Sequence, residues 1–275
     1  MLIDTHCHIN FMVKKEFNTA LTPDQFLMAE KIIAEAHAHD VTGIINVGTS
    51  IIESKNCIAL ARRFANTWAT IAVHPSDATA EWKRDVQELG TLLAQDSDKH
   101  IVAIGECGLD FHYPDYNKQH QTDLFKAQIE LALEHNTALV IHIRDAYDET
   151  LKILEEYKRS ISRCVIHCFS GDHAFATHCL DLGFVLGIGG PLTYPKNDAL
   201  RAIFTTIPLE SILLETDAPF LPPQIIRGKQ NHPRYIKTIA THLAEIRNID
   251  LETVAAQTTA NAEKMFNITL KVQHR

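Results

Sequence analysis

No run of apolar residues in this chain approaches the roughly 18 that a membrane-spanning helix needs. The chain opens Met1-Leu2-Ile3-Asp4, without a basic stretch ahead of an apolar one, so neither membrane insertion nor classical secretion is expected. Cysteine is sparse. Six residues in 275 (Cys7, Cys57, Cys107, Cys164, Cys168 and Cys179) fall far below the density of a disulfide scaffold and indicate reduced thiols in a cytoplasmic protein. Positive charge is also short: Lys and Arg total 26 against 34 Asp and Glu, a net charge of −8. That excludes a broad basic surface coating nucleic acid but leaves room for a local site. No linker rich in Pro, Gly or Ser, no charge block and no repeat divides the chain, so residues 1–275 are expected to form a single domain.

What is present is an ordinary globular composition, 45% hydrophobic and 22% charged, enough to bury a sizeable core. Eight short apolar segments recur, at 2–6, 43–48, 69–74, 101–106, 138–142, 163–167, 184–189 and 212–215. They are apolar on both faces rather than alternating, as parallel strands covered on both sides are. Helical periodicity lies between them, clearest over 118–135, where Gln121, Leu124, Phe125, Gln128, Ile129, Leu131 and Ala132 share one face. Other helices are predicted over 23–39, 53–66, 81–95, 146–158, 172–182, 197–206 and 235–247, with two extra helices at the C-terminal end. Eight strand-helix alternations in about 250 residues predict an α/β fold of the TIM (β/α)8 barrel type, ahead of a doubly wound open sheet.

Chemistry collects at the strand ends. In D-T-H-C-H, Asp4 to His8, the period of two puts His6 and His8 on one face and Cys7 on the other, so both imidazoles can ligate one ion. Glu106, His142, His167 and Asp217 stand at or just after other strand ends, so six metal ligands converge on one rim. Singly, each histidine would be a satisfied core residue; a lone buried carboxylate would have to be paired or metal-bound. Glu215 shares the face of Asp217 and would bind a further ion or hold a ligand in place. Cys7, Cys107, Cys168 and Ile143 directly follow ligands and are expected to face outward beneath the helices. A zinc knuckle at Cys164 and Cys168 has no second pair at suitable spacing.

The stretches D-T-H-C-H, A-V-H-P-S-D-A (72–78), G-E-C-G-L-D (105–110), H-I-R-D-A (142–146), H-C-F-S-G (167–171), L-E-T-D-A-P-F-L-P-P (214–223) and T-T-A-N-A-E-K-M-F (258–266) resemble the TatD family of metal-dependent deoxyribonucleases, in the same order and over residues 2–266. Ser76, Ile143 and His232 depart from the usual pattern, and none of them is a ligand. The resemblance implies an amidohydrolase-like TIM barrel, a divalent-metal centre and phosphodiester hydrolysis in DNA. It also implies a division of ligands: His6, His8 and Asp217 around one ion, His142 and His167 around the other, with Glu106 bridging.

Two divalent ions, Mg, Mn or Zn, would bind the attacking water and a phosphoryl oxygen, with Glu106 and Asp217 as the catalytic carboxylates and Asp217 accepting the proton. His74 and Arg144, after strand ends, and Arg227 and Lys229, after the eighth strand, are expected to contact substrate. Few basic residues near the site predict a short grip on a single-stranded DNA end and exonuclease action; the polarity expected with the family resemblance is 3'-5'. The same barrel and ligands would also suit an aminoacyl-tRNA deacylase, a lactonase or a phosphotriesterase, or a non-catalytic metal-binding partner protein.

Overall fold

Eight parallel strands pair in chain order in the computed structural model, which describes residues 1–271. They are β1 (Leu2–Cys7), β2 (Val41–Val47), β3 (Thr67–Ile71), β4 (Ile101–Asp110), β5 (Ala138–Arg144), β6 (Cys164–Ile166), β7 (Val185–Ile188) and β8 (Ile212–Leu214). The helices are α1 (Ile9–Met12), α2 (Pro23–His37), α3 (Ile51–Arg63), α4 (Trp82–Ala94), α5 (Lys118–Glu134), α6 (Tyr147–Tyr157), α7 (His173–Asp181), α8 (Asp198–Thr206), α9 (Ile236–Arg247) and α10 (Leu251–Phe266). The alternation is that of a (β/α)8 barrel, and α9 and α10 are the two additional helices. No described helix is long and apolar enough to cross a membrane.

Local chemistry explains where helices start. Thr22 caps α2 in a reciprocal box with Gln25, and Ser50, Asn117, Asp172 and Asp250 each accept a backbone N–H at the start of α3, α5, α7 and α10. On α5 the buried face is the one its periodicity predicts, from Gln121 to Ala132. Outward side chains of the strands pack under the helices in one large core with Cys7, Cys57, Cys107, Cys164 and Cys179. A second cluster fills the barrel itself: Ile3, Ile45, Val102, Val140, Val165 and Leu213 meet Met265, Phe266 and Ile268 from α10 and the residues after it. The additional C-terminal helix therefore plugs the N-terminal mouth and leaves the opposite rim open.

The last seam closes through side chains and turns rather than a full ladder. β8 ends at Leu214, and closure comes from a Cys7–Ala218 bridge, from Asp217 N–H to the His6 carbonyl (2.8 Å) and from His8 N–H to the Ala218 carbonyl (2.7 Å). Below them the Asp4 carboxylate accepts the Thr216 N–H (2.9 Å) and lies 2.5 Å from its hydroxyl.

Strand bounds differ from the sequence expectation where ligands stand. β4 continues from Glu106 to Asp110 because it pairs with β5 through Gly108–His142 and Asp110–Arg144. Gly108 permits this: a Cβ there would lie 2.0 Å from the His142 carbonyl oxygen, at φ +144°. β6 and β8 stop early, so His167, Cys168 and Asp217 lie in turns, with φ of +46° at Cys168 and +56° at Asp217. This corrects one expectation. Cys168 does not face outward into the core; strand alternation ends at Ile166, and the turn brings Cys168 to the wall of the rim cavity. Ile143 packs partly against the core and also reaches that cavity.

Candidate active site and metal centre

A cavity of about 890 Å³ opens on the C-terminal rim. β1, β4, β5 and the turns after β6 and β8 bring together His8, Glu106, His142, His167 and Asp217 at its floor and His6 buried directly against them, strand-end positions that the barrel's closure makes neighbours. Glu106 stands between two histidine sets. Its Oε2 lies 3.4 Å from His6 Nε2 and 3.8 Å from His8 Nε2, and its Oε1 lies 2.7 Å from His142 Nδ1 and 3.0 Å from His167 Nε2. Asp217 Oδ1 closes the first set, 3.7 Å from His6 Nε2 and 3.4 Å from His8 Nε2.

The surroundings orient these rings. The Val47 carbonyl can only accept, so His8 donates to it from Nδ1 (3.0 Å), and a neutral His8 turns the Nε2 lone pair toward Glu106 and Asp217. His6 and His8 bring their Nε2 atoms within 3.3 Å, and the His6 and His167 rings stack at 3.7 Å. On the far side of His167, Glu215 Oε1 lies 3.4 Å from Nδ1 and accepts the Cys168 N–H. Gly187 leaves the room for that carboxylate: a Cβ there would fall 2.4 Å from Glu215 Oε2.

Burial and charge pull against each other here. Burial holds His6 below its usual pKa, with His167 adding to the effect. Burial also opposes charge on His167 and His142, but carboxylates outweigh it: Glu106 and Glu215 lift His167 well above the ordinary value, and Asp110 and Glu106 lift His142. Burial works to raise Glu106, and His167, His142 and His6 overcome it and hold the carboxylate well below its usual range.

These residues fit a divalent cation. Close groups of nitrogen and carboxylate donors form around His6, His8 and Glu106, around Glu106, His142 and His167, around His74, Asp110 and His142, and around His6, His167 and Glu215; His6 Nδ1 and His167 Nδ1, on the ring edges turned away from Glu106, are buried without a hydrogen-bond partner. Mixed imidazole and carboxylate donors suit Zn, Mn or Mg. None of the candidate groups among the described residues contains a cysteine, so the free Cys164 and Cys168 belong to no such group.

Of the expected substrate contacts, His74 and Arg144 line the cavity. His74 Nδ1 accepts the Ser76 N–H (3.1 Å), which leaves the hydrogen of the neutral ring on Nε2; burial, with His142 beside it, pushes this group down to about 3. Arg227 lies outside the lining but stacks on Tyr194, which does line it, at 3.9 Å. Lys229 is exposed and outside the lining. His232, the other departure in that loop, lies 3.2 Å from Glu35, away from the cavity.

Asp110 was absent from the expected set. Its Oδ2 is 3.2 Å from His142 Nε2, opposite the nitrogen that meets Glu106, and Gln121 of α5 clamps its backbone through N–H and C=O together. The signal was in the sequence: Glu106, Gly108 and Asp110 share one face by the period of two, once β4 is allowed to run on.

Comparison with known proteins agrees with this geometry. A family model described as TatD related DNase matches residues 3–267. An uncharacterized metal-dependent hydrolase, YabD, of Bacillus subtilis is 34% identical over 98% of this chain and 100% of its own. A 3'-5' ssDNA/RNA exonuclease TatD of Citrobacter rodentium is 37% identical over 91% of this chain and 97% of its own. The crystal structure of the TatD homologue YjjV from Escherichia coli superposes with a TM-score of 0.88, covering 98% of each chain at 28% identity. With motifs, barrel and ligand cluster in agreement along nearly its whole length, the chain belongs to the TatD-related DNase family and is a metal-dependent hydrolase.

Proposed function

We propose that this protein is a two-metal nuclease that removes nucleotides from the 3' end of single-stranded DNA. The observation that carries the reading is the division of Glu106, whose two oxygens face two separate histidine sets. In it His6, His8 and Asp217 would hold one ion and His142 and His167 the other, with Glu106 placed between the two sets to serve both. Divalent ions bound there would supply the positive charge that lowers the pKa of an attacking water and offsets charge on the phosphoryl oxygens.

The chain's own groups do the rest. Asp217 has the more accessible of the two carboxylates, 15% exposed at the side chain against 7% for Glu106, and it accepts the proton from water at Oδ. His74 donates from Nε2–H to a phosphoryl oxygen, since its Nδ1 is taken by Ser76. Arg144 adds a guanidinium at the cavity wall, and Arg227, reaching it through Tyr194, neutralises phosphate at the rim. The activity named for the Citrobacter rodentium relative supports the same polarity and substrate, and extends it to RNA.

A 5'-labelled single strand incubated with Mg or Mn should yield a ladder shortening from the 3' end, and a chelator should abolish it. Asp217→Asn should lower kcat by about a hundredfold or more while the fold is kept. Cleavage of a closed circular strand as fast as a linear one would overturn the end requirement.

A further inference from the structure

Three phenylalanines from three separate segments meet on one wall of the cavity: Phe11 on α1, Phe17 in the loop after it and Phe220 after β8. The Phe11 ring lies parallel to His8 at 5.0 Å, next to one of the candidate ligands. Phe17 meets Phe11 edge to face at 4.7 Å, and Phe220 does so at 6.4 Å while also reaching the His8 ring at 5.9 Å. Together they make an angular aromatic corner. Yet Phe17 remains 58% exposed and Phe220 46%, the arrangement of a surface kept for a partner rather than of a core.

The loop that carries Phe17 is held rigidly. Lys14 and Glu53 form a buried ion pair at 2.7 Å, Glu53 also accepts Asn10 and the Asn18 N–H, and Lys14 and Asn56 both donate to the Thr19 carbonyl. A buried polar network beneath an exposed ring fixes that ring's position before anything binds. Charge on the other walls completes the contrast. Arg144 lies over Tyr113 at 5.5 Å in the wall, and Arg227, just outside it, lies over the lining residue Tyr194 at 3.9 Å, so a cation and carboxylates share the cavity with an apolar corner and a second cation stands at its edge.

We infer that the Phe11, Phe17 and Phe220 corner is a stacking subsite for the nucleobase attached to the reacting phosphate, which would let the enzyme hold any base at the strand end without reading its sequence. The inference rests on the nuclease reading above. A ligand that presents a flat apolar ring one covalent link from a phosphate matches both halves of the cavity, and aromatic stacking accepts every base because each has a π face.

A single strand ending in 3' 2-aminopurine tests this directly. Bound to Asp217→Asn protein in Mg, its fluorescence should be quenched by stacking, and the added Phe17→Ala and Phe220→Ala changes should restore the signal. In the wild-type background the same pair should raise KM about tenfold for a base-bearing 3' end, and clearly less for an end whose last residue is abasic, with Phe17→Trp recovering most of the loss. Equal losses on both ends, or oligonucleotide bound without quenching, would overturn the subsite. Hydrolysis with no base dependence would keep the nuclease and reject the platform. Quenching without hydrolysis by the wild-type protein would do the reverse.

Discussion

Asp110 and Asp4 show how single carboxylates set the behaviour of this rim. Burial works to raise Asp110, yet His142 and the His112 N–H outweigh it and hold the group below its usual value. A histidine that ligates through one nitrogen is oriented through the other, so Asp110→Asn should weaken metal binding about ten- to a hundredfold in a calorimetric titration, with little change in the melting temperature of chelated protein. Unchanged metal affinity would show that Asp110 has no hold on the ring. Asp4 is the opposite case. Burial pushes it from 3.8 up to about 8 despite the Thr216 hydroxyl, the Thr216 N–H and the His6 N–H, with Glu215 adding to the rise. A group raised on folding contributes stability fully below its unfolded value and loses it as pH climbs through the folded one, here between about 4 and about 8. Chelated wild-type protein should therefore melt progressively lower toward pH 8, and Asp4→Asn, which imitates the protonated acid, should flatten that slope.

At the scale of elements, the loop between α1 and α2 depends on one buried pair. Lys14 and Glu53 side chains are each 1% exposed. Burial works to raise Glu53, but Lys14, Asn10, Asn56 and the Asn18 N–H keep it ionised below its ordinary value. Removing one partner leaves a charge buried alone, so Glu53→Gln should cost about 3 to 5 kcal/mol in denaturant unfolding, and Lys14→Met added to it should recover part of the loss. A loss under about 1 kcal/mol would place the pair in an open, screened environment. The strands obey the same logic of neighbours. Their existence was legible from apolar runs, because a strand sandwiched between barrel interior and helices must be apolar on both faces. Their ends were not. β4 runs on because β5 pairs with it, and β6 stops because the turn at Cys168 is needed to aim His167, and neither partner is visible from within the segment itself.

Over the whole molecule, an acidic chain presents an acidic cavity. Asp77, Glu106, Asp110 and Asp217 line it against the single arginine Arg144, with Glu53 already neutralised by Lys14, in a protein of net charge −8. Phosphate can approach only once cations offset those carboxylates. Strand binding should accordingly demand divalent metal, and at constant metal its affinity should fall with log salt at a slope of roughly −1.5 to −2, as two or three phosphate contacts imply. A slope near about −5 would require a long basic channel. Metal should also stabilise the native protein, and stripping it should lower the melting temperature by linkage, since the unfolded chain cannot gather ligands from β1, β4, β5 and the turns after β6 and β8.

The order of apolar segments and the residue types at their ends are properties of the chain alone, so the barrel, the rim and the candidate ligands His6, His8, Glu106, His142, His167 and Asp217 are legible in the sequence. Strand periodicity is local, and parallel barrels place every strand's C-terminal end on one side. What required the folded molecule was whatever depends on distance between segments far apart in sequence. Which oxygen of Glu106 faces which histidines, the clamp of Gln121 on Asp110, the turn that moves Cys168 from core to cavity, and the meeting of Phe11, Phe17 and Phe220 all arise where separate loops converge. Loops carry no periodic signal, so their meeting points are decided only when barrel closure brings the strand ends around a common axis.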